Sequence, residues 1–78
     1  MIKQKMITIE KLQIKVGQRI KQLRNERGIT AQDLAAACNF ETSNMSRIEA
    51  GKTNLTLKTL YKIAYALETT VAELVNVE

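Results

Sequence analysis

A chain of 78 residues with one cysteine, no histidine and no proline is one small domain in which neither an intramolecular disulfide nor a histidine-bearing zinc site can form. No segment approaches the roughly 18 apolar residues of a membrane span and the N-terminus has no apolar run of signal-peptide length, so a cytoplasmic protein with no membrane partner and no cofactor is expected. The formal net charge is +4, and with only Phe40, Tyr61 and Tyr65 as aromatics and three glycines, several short helices are favoured over a sheet.

The first segment reads in two ways. Ile9, Leu12 and Val16 form a helical stripe, while Leu12, Ile14 and Val16 alternate with Lys11, Gln13 and Lys15 as a strand would. Both remain open, and the chain divides into an N-terminal extension at 1–13 and a domain at 14–78. Val16, Ile20 and Leu23 recur at i, i+4, i+7, and Gly28 supplies a left-handed C-cap, so helix 1 is predicted to close near Arg27. Thr30 with Asp33 three residues on is a capping box ahead of Leu34, Ala35 and Ala37, which predicts helix 2 over 31–38. Cys38 in that apolar setting reads as a small buried hydrophobe rather than a redox sensor. Asn39 tolerates the positive φ of a tight turn, and Phe40 behind it is a core anchor. Helix 3 is predicted over 42–50, stopping at Gly51. After the polar loop Lys52, Thr53, Asn54, a cap at Thr56 opens helix 4 with Leu57, Leu60, Ile63, Ala64 and Leu67 as its stripe. Thr70 caps helix 5, with Val71, Leu74 and Val75 apolar. The fold class is all-α.

Charge is distributed unevenly. Residues 1–27 hold Lys3, Lys5, Lys11, Lys15, Arg19, Lys21, Arg24 and Arg27 against Glu10 and Glu26, whereas from Ile63 onward there are Glu68, Glu73 and Glu78 and no base. Such asymmetry turns one end toward a polyanion, although a solvated lysine-rich helix has the same composition. Residues 30–52 are more specific. Two short helices around a turn of about four residues have the spacing that lets one cross a DNA backbone while the next enters the major groove. Winding helix 3 at about 100° per residue puts Thr42, Ser43, Ser46 and Arg47 on one side and Met45 and Ile48 on the other. Short side chains let a helix axis approach base edges, and a guanidinium fork matches guanine O6 and N7. Asn44 falls on the flank, at phosphate rather than base.

The runs Gly28-Ile29-Thr30, Asp33-Leu34-Ala35 and Ser43-Asn44-Met45-Ser46-Arg47-Ile48-Glu49-Ala50-Gly51-Lys52, followed by Leu57 to Leu67, resemble the lambda-repressor/Cro-type, or Xre-like, helix-turn-helix family. The resemblance covers about residues 14–75. It implies a compact five-helix DNA-binding domain with the helix-turn-helix at helices 2 and 3, serving as a transcriptional regulator, a repressor or autoregulator, that binds a palindromic operator as a dimer. It also implies a structural ion pair between an arginine late in helix 1 and the glutamate that ends helix 3, here Arg24 and Glu49.

Two positions depart from the family pattern. Glutamine at the first turn of helix 2 is replaced by Ala31, with Gln32 one position later; Glu41 stands where a serine would cap helix 3. Gln32 and the backbone amides at the start of helix 2, with Thr30, are the phosphate anchors left there. Arg19, Lys52, Thr53 and Asn54 are further phosphate candidates. One half-site of this size buries roughly 600–1,000 Å², thin for selecting a genomic site, so a homodimer is expected through helix 5 (Leu74, Val75, Val77), joined by Ile7 and Ile9 of the extension. The competing reading on the same fold is an antitoxin or protein-interaction module whose partner is a protein such as a toxin. An enzyme is not expected, since no nucleophile-plus-base pairing and no glycine-rich phosphate loop occurs.

Overall fold

Threonine hydroxyls set where four of the five helices begin. In a computed structural model, which describes residues 6–77, the chain forms α1 (Ile9–Glu26), α2 (Ala31–Ala37), α3 (Thr42–Glu49), α4 (Leu57–Ala66) and α5 (Val71–Leu74). Thr8, Thr30, Thr56 and Thr70 each accept from the backbone N–H three residues on, at 3.2, 3.0, 3.1 and 3.1 Å. Each bond satisfies a donor that the first helical turn leaves orphaned. At Thr30 the Asp33 carboxylate completes the box by accepting from the Thr30 N–H.

The Thr8 cap decides between the two readings of the N-terminal segment. α1 is continuous from Ile9, so the boundary between 13 and 14 falls inside a helix, and the described part of the extension belongs to the domain. Residues 1–5 and Glu78 lie outside the described residues.

One core draws on all five helices. Ile20, Leu34, Met45, Ile48, Ile63, Leu67 and Leu74 are fully buried, each contributing about 2 kcal/mol by leaving water. α2 and α3 pack on each other and on α1, α4 lies against α2, and α5 closes on α1 and α4. Cys38 joins this cluster, and burial pushes its thiol up against the opposing pull of Lys62. Phe40 packs half-buried at the core edge, with the Lys62 ammonium 5.5 Å from its ring centre.

Two expected placements are corrected. Leu57 is 73 % exposed, because as the first residue of α4 it falls beside Tyr61 and Tyr65 on the outer face rather than with Leu60 and Ile63. Leu74 is 0 % exposed, so the short α5 turns its leucine into its own domain's core and not toward a second copy.

Positive φ marks the helix ends at Gly28 (68°), Asn39 (60°), Gly51 (76°) and Glu68 (56°). Glu68 was not legible as a turn residue, since nothing in its side chain favours the left-handed region. It ends α4 because Thr69 N–H donates to the Ala64 carbonyl at 2.9 Å, which forces the reversal before Thr70. Glu68→Gly is therefore expected to stabilise the domain by about 1 kcal/mol by removing Cβ strain, read as a higher urea midpoint. No helix among the described residues is long and apolar enough to cross a membrane.

Candidate nucleic-acid interface

The turn between α2 and α3 is made by Asn39 at positive φ, with Phe40 N–H donating to the Ala35 carbonyl at 2.8 Å. This sets α3 across the end of α2. Met45 and Ile48, 0 % and 1 % exposed, pin its inner side, and the opposite side is left to solvent. Thr42, Ser43, Ser46 and Arg47 are all exposed there, and Asn44 on the flank is half-buried. Ser43, Asn44 and Arg47 line one shallow groove with Asn39, Phe40 and Glu41. Arg47 has no ion-pair partner among the described residues, which leaves its guanidinium available to a ligand.

α3 begins without a side-chain cap, since Glu41 makes no hydrogen bond to the first turn. It ends firmly. Gly51 at φ 76° lets Gly51 N–H reach the Ile48 carbonyl and Lys52 N–H the Arg47 carbonyl, both at 3.0 Å. Arg24 of α1 then forks onto Glu49, with Nε 2.7 Å from Oε2 and the second bond 3.1 Å to Oε1. A third Arg24 bond goes to the Ile29 carbonyl at 2.8 Å, so one guanidinium ties α1 both to the end of α3 and to the chain entering α2. The two side chains are 10 % and 8 % exposed. The hydrogen bond to Glu49 holds the guanidinium above its ordinary range, against the desolvation that lowers it.

The phosphate candidates divide. Thr30, Gln32, Lys52 and Asn54 are exposed, although the Thr30 hydroxyl already caps α2 and Asp33 adds a negative charge to that helix end. Arg19 is engaged within the domain: its guanidinium bonds the Glu73 carboxylate and the Glu73 carbonyl, each at 3.0 Å. Nothing in residues 15–23 announced that tie. Thr53 is half-buried, and its Oγ1 is shielded from solvent with no hydrogen-bond partner among the described residues. An orphan hydroxyl costs stability that an isosteric methyl does not. Thr53→Val is therefore expected to raise stability by about 1 kcal/mol and leave DNA affinity unchanged, measured by urea melts and by anisotropy with labelled duplex.

A capped helix with Leu34 and Ala35 buried, joined through a left-handed turn to a helix whose outer face is polar and carries an arginine unpaired among the described residues, is the arrangement of a helix-turn-helix DNA-binding domain. Residues 19–78 match the Cro/C1-type HTH DNA-binding domain, and the chain belongs to that family. A HTH-type transcriptional regulator, y4dJ of Sinorhizobium fredii, is 38% identical over 61 residues, 78% of this chain and 79% of its own length. The immunity repressor protein of Bacillus phage phi105 is 41% identical over 63 residues, 81% of this chain but only 44% of the repressor. Among solved structures, the restriction-modification controller protein C.AhdI of Aeromonas hydrophila superposes with a TM-score of 0.78 at 33% identity, covering 82% of this chain and 96% of that one. These relatives are DNA-binding regulators rather than enzymes, and the chain is a transcriptional regulator with a helix-turn-helix DNA-binding domain.

Proposed function

We propose that the protein is a cytoplasmic repressor or autoregulator that binds a palindromic operator as a dimer, with α3 of each copy in the major groove. The observation that carries this reading is the exposed, short-chained face of α3 ending in Arg47, unpaired among the described residues, on a helix whose other side is locked into the core. Thr42, Ser43 and Ser46 let the helix axis come close, and Arg47 offers the fork that reads guanine. Lys52 and Asn54 flank the groove at the backbone, Gln32 and the α2 amides take a phosphate on the other side, and Asn44 supports the same strand. Arg19 is left out because Glu73 holds it, and Thr53 because its hydroxyl is shielded.

Two copies would place their reading helices about 34–36 Å apart, one turn of DNA. For the contact between copies we assign the rim of the apolar cleft lined by Leu12, Val16, Leu55 and Leu60, where Ile9 and Val75 stand exposed. The phage immunity repressor and the restriction-modification controller are relatives with regulatory roles of this kind. A protein-interaction role, such as that of an antitoxin, draws support from the exposed row Leu57, Tyr61 and Tyr65 on α4. Random-site selection tests the main reading: a consensus of two related half-sites is expected, with affinity falling steeply as salt rises. Selection of no consensus, together with protein binding that survives high salt, would favour the second.

A further inference from the structure

α1 and α3 meet backbone to backbone at one point. A Cβ placed on Gly17, which is buried in the middle of α1, would lie 2.5 Å from the Ile48 carbonyl oxygen and 2.7 Å from that of Glu49. Both obstructing atoms are main chain, so neither can swing aside as a flexible side chain would. Seven residues on, along the same face of α1, Arg24 grips the Glu49 carboxylate with two bonds. Three residues before Gly17, the Ile14 backbone sits so near Gly51 that a Cβ there would be 2.5 Å from Ile14 Cα. The last turn of α3 and the glycine after it are thus held on α1 at three places, while the first turn has no side-chain cap. α3 is fixed at both ends, its start against α2 by the Asn39–Phe40 turn and its last turn against α1.

Resting on the reading that α3 enters the groove, we propose that Gly17 is a positioning residue for base readout, acting with Arg24 as a mount that fixes the distance and roll of α3 against α1. Hydrogen bonds to base edges tolerate only a few tenths of an ångström, whereas attraction to phosphates changes slowly with distance. A displaced α3 therefore loses specific binding while non-specific binding persists. Alanine in a helix interior ordinarily stabilises relative to glycine, so glycine at this position answers to the close approach and not to helix formation.

The test compares Gly17→Ala with wild type on the duplex obtained from random-site selection and on a scrambled duplex of equal length. The specific-to-non-specific affinity ratio is expected to fall about tenfold, with non-specific affinity within about twofold of wild type. Partial unfolding cannot mimic this, because a reduced folded fraction lowers both affinities by the same factor. Gly28→Ala is the control: Gly28 has φ +68° with nothing within 4 Å of its would-be Cβ, so a lower urea midpoint and an unchanged ratio are expected. Arg24→Lys keeps the charge but loses the fork, and is expected to lower the ratio too; it decides the question alone if Gly17→Ala does not fold. A wild-type ratio in whichever of the two variants folds would overturn the mount. If Arg47→Ala lowers the ratio and the mount variants do not, the positioning role fails by itself. If Arg47→Ala and the combined Thr42→Ala, Ser43→Ala and Ser46→Ala variant also leave the ratio unchanged, the groove reading and the mount fall together.

Discussion

Arg24→Ala is expected to lower the unfolding free energy by about 3 kcal/mol, because it leaves the Glu49 carboxylate buried without its partner. A domain of this length holds on the order of 4–12 kcal/mol in all, so the loss is a large share and shows directly in urea melts. Arg19→Ala provides the contrast. Its pair with Glu73 has the same chemistry, but those side chains are 23 % and 54 % exposed, where water already screens both charges; less than about 1 kcal/mol is expected. Equal losses in the two variants would show that burial does not separate the pairs. The pH dependence follows from the raised Arg24 pKa. A group whose folded pKa lies above its unfolded value contributes fully below the unfolded value and loses that contribution only as pH rises through the folded one. On the arginine side the pair is therefore complete through neutral pH and fails only in strong alkali.

Arg47→Ala is expected to weaken binding to the selected site by about 1–3 kcal/mol, roughly 5- to 150-fold, and to relax base preference at the position that Arg47 faces. The matching change at Lys52 should behave differently. Removing a phosphate contact weakens every sequence about equally and lowers the dependence of log affinity on log salt by about one ion. The two variants thus separate reading from attraction within a few residues of chain. An Arg47→Ala protein that selects the same consensus as wild type would remove Arg47 from base readout and shift that role to Thr42, Ser43 and Ser46. The stability of Arg47→Ala should match wild type, since its side chain is exposed and pairs with nothing among the described residues.

Gly17 is passed over in the sequence reading, although a glycine inside a predicted helix, where alanine forms helix better, is itself an anomaly. Such a residue signals a packing reason without saying what approaches it. The partner of Arg19 had no signal at all, because Glu73 lies 54 positions away and no local pattern links the two. Leu57 and Leu74 show the same limit from the other side. Periodicity gave each an apolar stripe, but a stripe says which residues share a face and not which of two surfaces, core or solvent, that face meets.

The starts of α2 to α5, the turns at Gly28, Asn39 and Gly51, and the division of α3 into a core side and a polar side were determined by the sequence alone. Each is governed by interactions within about four residues: a threonine hydroxyl on a nearby amide, a φ that glycine or asparagine tolerates, a repeat of 3.6. The tertiary structure decided, by packing Leu12 and Val16 on the core, which side of the N-terminal ambiguity holds, and also where Leu74 points, that Thr53 hides its hydroxyl, and that α1 carries the last turn of α3 on Gly17 and Arg24. Those outcomes depend on atoms brought together across the chain, and a close approach of two backbones leaves no pattern in the residues between them.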